Sequence, residues 1–219
     1  MNRFAFILIG LAGAVALHAE TFTYLGPNST HGQAHITLSG VPGSPVNLTV
    51  ITGENMFKYG FEAATYGYCV DLQAMAGNGS AWKGSTASLN AGQTIGHLLQ
   101  EYAPQIHATG DKYGATALQL AIWDLLYDTP TGPSAQNNQA ISLTSGHFKA
   151  DNIKVNGVAF DPSAYFAAFQ SGFDESGLAD VYHGTNQSIQ SFAAVPEPAS
   201  IAALAVGAAA QLRRRKASR

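Results

Sequence analysis

Two side chains in this sequence can react with each other without a cofactor. One is the thiol of Cys69, the only cysteine among 219 residues; the other is the carboxamide of Gln119, fifty positions later. With a single cysteine no internal disulfide can form, so Cys69 is buried and inert, paired with another chain, free and reactive, or consumed in some other bond. A thiol has a pKa of about 8.5 and an unactivated amide is a poor electrophile. Condensation with loss of ammonia therefore needs a held geometry, a hydrogen-bond donor on the amide oxygen, and exclusion of water. Tyr66, Tyr68 and backbone N–H groups are the candidate donors.

A helix and a strand must bring the pair together. In the run from Ala115 to Asp128, ATALQLAIWDLLYD, helical spacing puts Ala115, Gln119, Ile122, Trp123 and Leu126 on one face. Gln119 thus falls inside the apolar stripe, where an amide without partners costs about 1 to 3 kcal/mol. Asp124 and Asp128 fall on the opposite face and are expected to be wet. The run from Tyr66 to Leu72 reads as a strand that carries Cys69.

The surrounding chain reads as short strands with polar turns. Thr21 to Leu25, His35 to Leu38, Asn47 to Ile51 and Met56 to Phe61 are expected strands, broken by the Gly-Pro signals at 26–28 and 40–43. Met75 to Ser85 reads as a Gly-rich connection anchored by Trp82, and Asn90 to Tyr102 as a helix closed by Pro104. A hairpin is expected around Asn156-Gly157 and a helix start at Asp161-Pro162, after which Val181-Tyr182 and the polar stretch His183 to Ser191 lead into the C-terminal segment. The class is α+β: a β-sandwich or barrel of short antiparallel strands with a helical insertion that carries Gln119.

Tyr68-Cys69-Val70-Asp71, followed by Leu118-Gln119-Leu120-Ala121-Ile122-Trp123, resembles the thioester domain family of bacterial surface proteins from about Tyr66 to Tyr127. In that family a cysteine after an aromatic residue condenses with the glutamine of a Thr-Gln-x-Ala-Ile/Val-Trp helix. The resemblance assigns the cysteine to Cys69 and the glutamine to Gln119, with Tyr68, Ile122 and Trp123 as the supporting pocket. It departs at Leu118, where the family carries threonine; Thr116 is one turn wrong to replace it. What it implies is a thioester that reacts with a primary amine, leaving an amide at Gln119 and a free Cys69 thiol. The function is then covalent adhesion to an amine-bearing protein or matrix partner, with no cofactor and no enzymatic role. The alternative is an exported structural or matrix protein whose Cys69–Gln119 pair is a stabilising crosslink or an unreacted core pair. Such a crosslink would remove unfolded-state entropy worth about 4 kcal/mol, by the loop model used for disulfides.

Both ends of the chain read as targeting segments. Met1 to Ala19 has a basic head at Arg3, an apolar run from Phe4 to Leu17 and a small residue before Glu20, the pattern of a secretory signal peptide removed on export. Pro196-Glu197-Pro198 precedes an apolar run from Ala199 to Leu212 and the basic cluster Arg213, Arg214, Arg215 and Lys216. As a helix that run is roughly 21 Å long, short of the roughly 30 Å of a hydrocarbon core, which suits transient membrane insertion with the basic end inside. The order resembles the PEP-CTERM sorting signal of Gram-negative bacteria. That implies an exosortase-type processing enzyme as partner and the cell envelope, outer surface or extracellular (biofilm) matrix as destination. The expected segments are 1–19 signal peptide, 20–194 thioester-like domain and 195–219 sorting signal.

Charge excludes one class of partner. All five arginines lie in the end segments; residues 20–195 hold five lysines against thirteen acidic residues, a net of −8. An acidic, arginine-free domain makes a poor ligand for phosphate backbones, so nucleic acid is set aside. His31 and His35 share a strand face, but no further ligand completes a metal site there, and none is expected. Asp71, Asp124 and Asp128 as sugar-hydrolysing carboxylates, or Cys69 with His97, His107 or His147 as a peptidase pair, are remoter readings.

Overall fold

The computed structural model describes residues 19–42, 44–129, 140–186 and 189–196. The signal-peptide expectation, apart from Ala19, and the sorting-signal residues Glu197, Pro198, Arg213, Arg214 and Arg215 lie outside the described residues. Among the described residues no helix is long and apolar enough to cross a membrane.

Eight strands form one antiparallel sheet: β1 (Glu20–Leu38), β2 (Val46–Tyr59), β3 (Thr65–Cys69), β4 (Gly79–Ser85), β5 (Phe148–Val155), β6 (Val158–Ala159), β7 (Asp180–Gly184) and β8 (Phe192–Ala194). Their order is β2-β3-β8-β7-β4-β1-β5-β6, and β1 also pairs with β2. The second pairing closes six strands on themselves, and β5 and β6 continue the sheet beyond β1. Among the described residues four α-helices and a 3-10 turn (Thr86–Ser88) join them: α1 (Gly92–Glu101), α2 (Ala103–Thr109), α3 (Lys112–Asp128) and α4 (Ser163–Gln170). The α+β class expected from the sequence is the class observed.

Several elements are longer or more numerous than the local pattern suggested. Gly26-Pro27-Asn28 is no turn between strands but an irregularity inside β1, where the register against β2 shifts on either side of Pro27. Gly26 takes φ +111°, which glycine reaches without a Cβ penalty, and the Asn28 side chain bonds Glu54 on β2 at 2.8 Å. The Gly-rich connection is partly strand: β4 pairs with β7, and Trp82 stacks on its cross-strand partner His183 with ring centroids 4.0 Å apart. Pro104 does not end the helical region. It stands in the first turn of α2, where its missing N–H costs nothing. The expected hairpin at Asn156-Gly157 is present as β5–β6.

Helix α3 is the centre of the fold. Asp111 caps it, its carboxylate accepting from the Tyr113 and Gly114 N–H groups at 3.1 and 3.0 Å. Every residue from Gly114 to Leu126 is buried, so the helix has no wet face through this span. Its sheet-side neighbours are β1, β2 and β5. Elsewhere in the core Phe22, Phe57 and Phe192 form an aromatic cluster that joins β1, β2 and β8, with centroids 5.2 to 5.9 Å apart.

Candidate functional site at Cys69 and Gln119

The fold brings the two residues into direct contact. The Cys69 N–H donates to Gln119 Oε1 at 2.9 Å, and Gln119 Nε2 donates back to the Cys69 carbonyl at 2.8 Å. Strand geometry explains the pairing. Tyr66 O and Val70 N bond toward β8, so the odd-numbered positions Gly67 and Cys69 direct their N–H and C=O groups toward β2. Pairing with β2 stops at Gly67, opposite Asn55. Cys69 is left with a buried donor and acceptor that no strand meets, and the Gln119 carboxamide takes the place of the missing peptide. Gripping N and O of one residue sets the carboxamide carbon beside Cys69 Cα. Both residues are sealed from water, Cys69 at 3% and Gln119 at 1% exposure.

The thiol has its own cradle. Sγ lies 3.0 Å from the Asp71 carbonyl, to which it donates, and the Asp71 N–H approaches it at 3.4 Å. Burial raises the thiol pKa well above its ordinary range; the Asp71 backbone N–H opposes that rise, the Asp71 carboxylate adds to it, and the Trp123 indole opposes it. The Trp123 N–H has no acceptor at bonding distance, yet it lies close enough to Cys69 to favour a sulfur anion. At neutral pH the resting group is a neutral thiol.

The expected pocket residues divide. Trp123 stands at the sulfur and Ile122 is fully buried beside it on α3. Tyr68 does not point there. Successive strand side chains alternate, and its buried hydroxyl, without a hydrogen-bond partner, is perturbed by burial first and then by Glu54 and Asp111. Tyr66 instead packs against His107 with the rings tilted and their centroids 4.2 Å apart. The donor on the Gln119 oxygen is the Cys69 backbone N–H. Leu118 is fully buried, and Thr116 Oγ1 is buried without a partner, next to Gly32.

Other readings are corrected by position. Asp124 is buried rather than wet; its carboxylate accepts from the Ser142 N–H at 3.2 Å. Burial, with a smaller contribution from Asp128, pushes its pKa up to about 7 against the Ser142 bond. Asp128 accepts from the His147 and Phe148 N–H groups. Of the three histidines considered for a peptidase pair, His107 lies 3.1 Å from Glu54 and His147 meets Ser39 O at 2.9 Å, while His97 packs against Gly172 and Gly177. His31 meets Asn28 O, and His35 bridges Asp151 and Asn47. Among the described residues no group of three metal-ligating side chains occurs.

Two features escaped the sequence reading. Tyr127, at the four-residue spacing Gln119, Trp123, Tyr127, accepts from the Leu72 N–H at 2.9 Å and stands near Cys69, which the spacing alone could have suggested. Glu54 is wholly buried, its Oε2 taking Asn28 and Thr30 at 2.8 Å each besides His107. No local pattern marks a carboxylate in a strand for burial.

Residues 194–216 match the family model of the PEP-CTERM protein-sorting motif. The motif marks the chain as exported and sorted to the cell envelope or surface, and signals of this kind are processed by exosortase. No curated protein and no solved structure matches the chain. The motif match does not extend to Cys69 or Gln119, so the reading of that pair rests on its own chemistry.

Proposed function

We propose that this exported, surface-sorted chain is an attachment protein in which Cys69 and Gln119 join as an internal thioester that couples once to a primary amine on a protein or matrix partner. The observation that carries the proposal is the two-point grip of the Gln119 carboxamide on the Cys69 backbone inside a dry core. In formation, Sγ bonds to the Gln119 carboxamide carbon, the bond to Nε2 breaks, and the thiol proton leaves with that nitrogen as ammonia. The Cys69 N–H stays on the carbonyl oxygen as charge develops there, and the Trp123 N–H faces the sulfur. An incoming amine then bonds to the same carbon, the carbon–sulfur bond breaks, and a proton returns to Sγ. A groove of about 650 Å³, lined by Val70 next to Cys69 and by Tyr127, lies beside the pair, and an amine entering from it would have to displace this wall to reach the buried carbon.

The second reading draws on the same hydrogen bonds, since they also give each polar atom of an unreacted amide one partner. Mass spectrometry of the mature domain separates the two. A chain lighter by one ammonia, with the deficit lost in both Cys69→Ala and Gln119→Ala, supports the thioester, and methylamine taken up at Gln119 supports its reactivity. A deficit that resists methylamine leaves only a staple. A full-mass chain leaves a core pair.

A further inference from the structure

The sorting motif begins inside the folded domain. Ala194, its first matched residue, ends β8 opposite Gly67, and the next residue, Val195, donates its N–H to Tyr66 O at 2.8 Å. Both are buried, and β8 sits inside the sheet between β3 and β7. Pro196 follows at once, on the lip of a cleft of about 790 Å³ whose walls carry Glu62, Glu101, Asp180 and Lys83. Lys83 is already held by Asp180 at 2.9 Å, and Glu62 takes the Tyr182 hydroxyl at 3.3 Å. With Lys83 and Asp180 paired, the cleft presents the two carboxylates of Glu62 and Glu101, both exposed, a net charge of −2.

An enzyme that reads a peptide as an extended strand uses free backbone on both sides of the bond it cuts. Upstream of Pro196 that backbone belongs to the sheet, and taking it would strip β8 from the Cys69 strand. Recognition on this side has to come from folded surface instead. We propose that the acidic cleft around Pro196 is the docking surface for the enzyme that processes the sorting signal, engaged by a basic loop of that enzyme. Opposite charge across such a contact raises encounter rate and fixes register. The proposal rests on the processing of the signal and is independent of the thioester.

The test follows conversion of the full chain to its shortened form in cells that process the unaltered protein. Glu62→Lys with Glu101→Lys is expected to slow conversion roughly tenfold, as removal of steering charge does, while Asp151→Lys, an exposed reversal on β5, leaves it unchanged. Unchanged thermal melting shows that the variants fold. Conversion of the double variant at the normal rate overturns the cleft proposal alone. Slowing by Phe61→Ser with Leu178→Ser, exposed apolar residues in the turn before Glu62 and on the cleft rim, without slowing by the charge reversals, would make this face a lipid contact and also overturn it. An unaltered chain that is never shortened overturns the processing reading and the docking surface together.

Discussion

Gln119 and Asp124 lie five positions apart on α3, both buried and both polar, and they meet opposite fates. Gln119 presents one donor and one acceptor to a strand residue that lacks one of each, and both are satisfied within 2.9 Å. Among the described residues Asp124 has a single N–H for two carboxylate oxygens, and its pKa rises to about 7. Burial is tolerable for a neutral group when each of its polar atoms finds a partner of the right kind. A charged group with fewer partners keeps its proton instead.

The largest expected effects come from opening the Gln119 contact. Gln119→Ala should cost about 4 kcal/mol or more in urea unfolding, whether by losing a crosslink or by leaving the Cys69 N–H and C=O buried without partners. Cys69→Ala sharpens the comparison, because it keeps those backbone bonds. In a crosslinked protein it should still cost about 4 kcal/mol, with Gln119→Ala costing more because it also strips the Cys69 N–H of its partner, whereas a loss of only about 1 kcal/mol would mean the thiol was never bonded.

Asp124 comes next, with the opposite sign. Its folded pKa lies above its value of about 3.8 in the unfolded chain, so the folded state binds more protons between these limits. The stability it contributes is whole below about pH 4 and is lost as the pH rises through about 7. Asp124→Asn should keep the Ser142 bond, flatten that slope and stabilise the domain at pH 8 by roughly 2 kcal/mol. A melting profile with the same pH slope in both proteins would show that Asp124 is not the group responsible. The smallest effect belongs to Tyr127→Phe, which removes the acceptor of the Leu72 N–H and should cost about 1 kcal/mol. No change there would mean that water replaces the hydroxyl.

Much of the site was legible in advance because it depends on spacing within one helix. Gln119 in an apolar stripe demanded a partner, and Trp123 shares its face; the strand at Cys69 followed from its β-branched and aromatic neighbours. The hydroxyl of Tyr68 was misplaced because adjacent strand residues face opposite sides, and Asp124 because a two-sided helix was assumed where packing covers both sides. Strands β4 and β8 carry little alternation. They exist because β7 and β3 pair with them from distant parts of the chain.

The amino-acid order alone established an acidic, arginine-free stretch over residues 20–195, a sorting motif at the C-terminus, a single thiol, and an amide placed in an apolar stripe. Those properties reside in composition and in neighbours a few residues apart, which the chain carries whatever its fold. Three-dimensional packing settled that the amide grips the Cys69 backbone, that Asp124 is enclosed, and that the motif's first residues are woven into the sheet. Each of these depends on groups brought together across long stretches of chain, where no periodicity records who will meet whom.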